Sequence, residues 1–334
     1  MKLRSILVVL FAATVALGGA QSSPSTSGTL LVLSKGDLTL SAVDPSTLKV
    51  LGKVPSGPDP HEVIASTDGR MAYIANYNGG GNIITPVDLA QMKALTPIDL
   101  GPLRAPHGVT FVGGKLWFTV EGSKAIATYD PAANKVDWIL GTGQNRTHMI
   151  HVWTDLSRIV TSNVNSATMT IIEKAAVGGR GGGQTDWDET VVPVGRGAEG
   201  FDVSPDGKQI WAANAQDGTI SIIDVASKRV TDTLAANVNG ANRLKFTPDG
   251  KHVFVSSLGG AEVAILDAAT KRDVKRLKTG RGAAGMQMQP DGTRAYVACT
   301  PDDYIAVVDL KTLEIAGRIE AGRQPDGLAW AERR

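Results

Sequence analysis

The chain has 334 residues, 42% of them hydrophobic and only 5% aromatic, with 38 glycines and a formal net charge of +1. That length buries a large core or two separate ones, and the glycine-rich, aromatic-poor balance favours many short strands and tight turns over long helices. The near-neutral charge excludes any bulk electrostatic case for nucleic acid or for an acidic partner.

Taken in chain order, Lys2 and Arg4 precede an apolar run from Ile6 to Leu17, and Gly18, Gly19 and Ala20 supply small residues for cleavage. Residues 1–20 therefore read as a bacterial Sec-type secretory signal, and the mature protein is expected to be periplasmic or secreted. The apolar run is short for a membrane span and no second one follows, so no transmembrane anchor is expected after cleavage. Residues 21–28 are rich in Ser, Pro and Thr and read as a flexible linker. Cys299 is the only cysteine, which excludes a disulfide framework and reads as a buried thiol.

Residues 29–334 read as one domain built on a repeat of about 42 residues. The segments STDGRMAYIAN (66–76), SPDGKQIWAAN (204–214), TPDGKHVFVSS (247–257) and QPDGTRAYVAC (289–299) are one element repeated, and Asp206, Asp249 and Asp291 recur at 43 and 42 residues. Each Asp-Gly sits between two short apolar strands, as a tight hairpin turn requires. A third alternating strand, a polar turn and a fourth strand follow, so each repeat supplies four antiparallel strands, A to D from the axis outward. Units of this kind are propeller blades.

Six complete blades start near residues 58, 104, 146, 196, 240 and 282. Residues 29–56 supply strands B, C and D of another, and GRQPDGLAWA (322–331) supplies its strand A. The expectation is an all-β, seven-bladed propeller whose remaining blade is closed by both chain ends, which removes the free sheet edge. Numbered in chain order, that closing blade is blade 1. Blade 3 shortens its A–B turn to VGGK (112–115), and blade 4 carries the insertion AAVGGRGGGQTDWDE (175–189). No strand-to-helix transition follows that glycine run, so it reads as a hairpin loop and not a phosphate cradle.

The unit VGRGAEGFDVSPDGKQIWAANAQDGTISIIDVASKRVTDTL (194–234), with YIAN, WAAN and YVAC at matching places, resembles the YVTN-type propeller repeat of exported bacterial proteins. The resemblance covers essentially the whole mature chain. It implies the propeller fold, and a set of relatives that includes cell-surface proteins, lactonase-like enzymes and the heme-binding propeller of a nitrite reductase. Fold analogy alone names no activity.

In a propeller the D–A and B–C connections gather around one mouth of the central channel. Reading the repeats in register, the position seven residues before the turn Asp holds His61, His148, Glu199, Asn242 and Ala284. Matching strand patterns adds His107 from blade 3 and Asp326 from the C-terminal strand. Three of the chain's five histidines thus fall at one topological position. Three imidazoles and a carboxylate suit a single divalent transition metal, with His61, His107 and His148 as candidate ligands and Glu199 as a further ligand or general base. The alternative, histidines that hydrogen-bond neighbouring loops or are simply hydrated, stays open. Asn242 and Asp326 join the rim as candidate ligand-binding residues.

Arg104, Arg146, Arg196, Arg281 and Arg323 precede the rim by two or three residues in five D–A loops. They form either an anion-binding ring or a set of pairs with carboxylates such as Glu121, Asp217 and Asp302 of the B–C loops. Tyr77, Asn78 and Glu121 lie on the same face. Asn76, Asn163 and Asn214 end their B strands, and Trp117, Trp211 and Trp330 read as inter-blade core. No serine-nucleophile motif, Walker loop, CxxC or CxxCH is present, which disfavours serine hydrolysis and covalent c-type heme.

Three functions remain. The first is an exported, monomeric binding module whose His/Arg-rich mouth takes a small anionic ligand or an exported protein partner. The second is a metal-dependent lactonase- or lyase-like enzyme. The third is a redox accessory that binds free heme through one rim histidine or docks a quinoprotein.

Overall fold

The computed structural model describes residues 28–77, 80–176 and 185–332. The signal segment, the linker up to residue 27, Asn78 and the centre of the blade 4 insertion lie outside the described residues. Among the described residues no helix is long and apolar enough to cross a membrane.

The chain is a seven-bladed β-propeller with four antiparallel strands in each blade, and the described residues hold three single-turn 3₁₀ segments besides. Blade 1 is closed by both chain ends: Pro325–Glu332 pairs with Gly28–Ser34, which continues into Thr39–Val43 and Val50–Pro55. The inner strands of blades 2 to 7 are Pro60–Ala65, Pro106–Val112, Thr147–Val152, Ala198–Val203, Ala241–Phe246 and Ala283–Met288. Each touches the inner strand of the next blade, and the last touches Pro325–Glu332, so the ring is complete.

Alternation places one face of each sheet against the neighbouring blade. Trp211, Phe246 and Leu244 join blades 5 and 6, while Tyr296, Leu30 and Val32 join blades 7 and 1. Trp117 and Trp211 are buried in these contacts and Trp330 packs against one of them. Cys299 is a buried free thiol. The Asp-Gly turns close as the repeat requires: Asp206 and Asp249 each accept a hydrogen bond from the hydroxyl two residues earlier, and each is followed by a left-handed glycine.

Blade 2 departs from the pattern in its outer strand, which splits into Lys93–Ala94 and Ile98–Asp99, both paired with Ile83–Asp88. Pro86 faces the break. It has no N–H to give the outer strand, and only its carbonyl takes part, accepting from Leu95 N at 2.9 Å. In blade 4 the insertion extends the outer hairpin, with strands Thr168–Ala176 and Thr185–Pro193.

Candidate functional site

The rim is built by a backbone device repeated in every blade. Each inner strand is irregular at the rim position, as between Thr147 and Ile150, Ala198 and Phe201, or Ala241 and Leu244. A bulge there turns the rim side chain toward the axis and frees it from strict alternation. Two residues earlier the chain is left-handed in all seven blades, with glycine in three and Asp59, Ala105, Arg146 and Gln324 in the others. A hydroxyl on strand B then ties the bulge to the next blade. Thr119 accepts from Gly108 N–H and donates to His148 O at 2.6 Å, and Ser162 accepts from Met149 N–H and donates to Glu199 O at 2.6 Å.

This device brings His61, His107 and His148 side by side. Ring centroids are 5.2 Å apart for His61 and His107 and 3.9 Å for His107 and His148. His148 Nδ1 donates to Glu121 Oε1, and its Nε2 lies 2.8 Å from Glu199 Oε2, close enough for an ion pair but poorly aligned for a hydrogen bond. Burial works against a charged imidazole here, but the two glutamates outweigh it and raise the His148 pKa above the usual histidine value. Burial likewise works against the charged carboxylates, yet contact with His148 and Arg146 holds Glu121 below its usual range and Glu199 at about 2.

His107 is the opposite case. Burial, reinforced by the neighbouring His148, pushes its pKa well below the ordinary value, so the ring is neutral, and its buried Nδ1 has no hydrogen-bond partner. His61 is nearer the surface, its side chain 21% exposed against 2% for His148. Lys35 Nζ donates to His61 Nε2 at 2.7 Å and lies 3.2 Å from Asp326 and 3.8 Å from Asp59. Tyr77 donates to Glu121 at 2.7 Å and rests its ring against His61 and His107; burial, then Glu121, raise its pKa to about 12.

The five arginines divide. Arg196, Arg281 and Arg323 pair with Asp217, Asp302 and Asp37 of their own blades at 2.6–2.8 Å. Among the described residues the Arg104 side chain donates only to the backbone carbonyls of Gly101 and Leu103. Arg146 alone reaches inward, 3.3 Å from Glu121 and 3.2 Å from Glu199. The register explains this: the other four stand three residues before the rim, whereas Arg146 stands two before it, at the left-handed residue. Asn242 is buried and donates to Ala284 O at 3.1 Å.

Four functional groups escaped the sequence reading. Glu62 and Arg243 follow the rim residue by one, a place where Gly108, Gly200, Gly285 and Gly327 stand in other blades. They meet across the axis from blades 2 and 6 in a buried ion pair beneath the histidines. Lys35 and Asp59 complete the set. Lys35, Tyr77 and Glu121 are each the first residue beyond strand B in blades 1, 2 and 3, so the same register reading applied there would have found Lys35. His151 points away from the rim, edge-on to Trp153, and burial lowers its pKa to about 4.

Residues 28–293 match the model of the cytochrome D1 heme domain family. No curated protein sequence matches the chain. Among solved structures, a putative 6-phosphogluconolactonase from Bacteroides fragilis aligns with TM-score 0.75 and 16% identity over 93% of this chain and 100% of its own. The dihydro-heme d1 dehydrogenase NirN aligns with TM-score 0.64 and 14% identity over 92% of this chain and 76% of its own. Hydrazine synthase of Kuenenia stuttgartiensis aligns with TM-score 0.65 and 19% identity over 81% and 89%. At these identities the likeness to solved structures shows the fold alone.

Proposed function

The chain belongs to the cytochrome D1 heme domain family, and we propose that it is an exported binding propeller whose channel mouth holds a small carboxylate-bearing tetrapyrrole of the heme type. The carrying observation is the run of three imidazoles at one rim position, of which only His61 reaches toward the surface. His61, the histidine nearest that surface, would hold the iron of such a group.

The residues fit such a group. His61 Nδ1 is without a hydrogen bond though Asp59 Oδ1 lies 3.4 Å away, and its Nε2 accepts only from Lys35, which has Asp326 and Asp59 to fall back on. Arg104, lacking a carboxylate partner among the described residues, stands on the same face for an acidic substituent. Leu258, 46% exposed just beyond strand B of blade 6, offers an apolar contact on the opposite side of the mouth. Bound there, a heme supplies an iron centre for electron transfer or small-molecule ligation. NirN, a dihydro-heme d1 dehydrogenase solved with its ligand, supports this reading, as does the family. The YVTN-type likeness of the repeat and the signal-like residues 1–20 support an exported propeller.

Absorbance titration with hemin and with iron-free protoporphyrin tests the proposal. One equivalent of hemin is expected to bind with a shifted Soret band, and His61→Ala to weaken hemin far more than protoporphyrin. Failure of hemin to bind, or equal weakening of both by His61→Ala, contradicts it.

A further inference from the structure

Beneath the face assigned to the tetrapyrrole lies a second set of donors that the first does not use. His107, Glu121 and His148 each offer one donor atom, and these atoms lie within 4.8 Å of one another. All three residues are buried, at 3%, 6% and 2% exposure respectively. They come from two adjacent blades: His107 from the inner strand of blade 3, Glu121 from the 3₁₀ turn after its second strand, and His148 from the inner strand of blade 4. Glu199 from blade 5 stands against the far nitrogen of His148.

We propose that His107, His148 and Glu121 form a binding site for one divalent first-row transition ion, zinc among them, with the adjacent Glu199 carboxylate as a fourth donor. Two imidazoles and carboxylate oxygen are the donor mix of such ions, whereas magnesium and calcium prefer oxygen throughout. The distances allow it. Tetrahedral zinc with bonds of about 2.0–2.2 Å sets its donors about 3.4 Å apart, so the most separated pair needs to close by at most about 1.4 Å, within the reach of side-chain rotation.

A second feature points to a ligand. His107 Nδ1 is buried with no hydrogen-bond partner, and His148 Nε2 beside it is likewise without a hydrogen bond. Glu121 and Glu199 both face the cluster, with Arg146 3.3 Å and 3.2 Å from them. Arg146 itself is 34% exposed and covers the glutamates from the mouth, which gives an ion a route in. An ion held here fastens blade 3 to blade 4 beneath the mouth. It is independent of the tetrapyrrole, whose ligand is His61.

Zinc titration of the heme-free mature chain, prepared without affinity metal and followed with a competing chromophoric chelator, tests the site. One equivalent is expected to bind the native chain and His252→Ala, a histidine on the opposite face. Glu121→Gln, which preserves shape, and His107→Ala are each expected to weaken it by about 100-fold or more. Circular dichroism distinguishes a folded variant from a collapsed one, and cobalt absorption in the native chain reports nitrogen ligation independently of any variant. No zinc bound by the native chain, or equal affinity in folded Glu121→Gln, overturns the proposal while leaving the tetrapyrrole reading untouched.

Discussion

At the residue scale the mouth is a balanced set of buried charges. His148 sits between Glu121 and Glu199, with Arg146 bridging the same two carboxylates and Tyr77 donating to one of them. Below them Arg243 meets Glu62 from the far side of the axis and also donates to Asn242 Oδ1 at 3.3 Å. Both partners of that pair are under a tenth exposed. Breaking a buried pair from one side leaves an uncompensated charge, whereas removing both partners together costs much less. Arg243→Met is therefore expected to lower stability by about 3–5 kcal/mol, and adding Glu62→Gln to recover most of the loss. Denaturant unfolding of the two single variants and the double variant measures this. Additive losses in the double variant would show that the two groups do not depend on each other.

At the element scale the inner strands approach so closely that a side chain beside the rim has no room. A Cβ on Gly108 would meet His148 O at 2.5 Å and Met149 Cα at 2.8 Å, both backbone. Gly108→Ala must push blade 4 away from blade 3, and the displaced carbonyl belongs to His148 itself. The expected cost is about 1–3 kcal/mol, measured as a fall in unfolding free energy, together with weaker zinc binding. A variant as stable as the native chain would mean that the strands have slack. This device also explains what the sequence could and could not reveal. The seven blades and their closure were legible because the Asp-Gly turn recurs in register, and a register slip would reverse every apolar position. His61, His107 and His148 were legible for the same reason. Glu62 and Arg243 were not, because the bulge breaks the two-residue alternation at that point and turns consecutive side chains inward. The inward reach of Arg146 and the own-blade pairing of Arg196, Arg281 and Arg323 depend on a one-residue difference in loop placement that gross spacing hides.

At the scale of the whole molecule the seven inner strands are alike and the mouth is not. At the rim and at the first residue beyond strand B, blades 1 to 3 contribute Asp326 and Lys35, His61 and Tyr77, and His107 and Glu121, blades 4 and 5 contribute His148 and Val164, and Glu199 and Ala215, and blades 6 and 7 contribute Asn242 and Leu258, and Ala284 and Thr300. A polar, titratable sector facing a blander one suits a flat ligand with an acidic edge and an apolar face, and the heme domain family gives that ligand its class. Closing blade 1 with both chain ends holds Lys35, next to its N-terminal strand, against Asp326 of the C-terminal strand. The most direct measurement is the electron paramagnetic resonance spectrum of the ferric heme complex, recorded for the native chain and for His61→Ala with and without added imidazole. Histidine ligation in the native chain, lost in the variant and restored by imidazole, is the predicted result. An unchanged spectrum in His61→Ala would contradict the account.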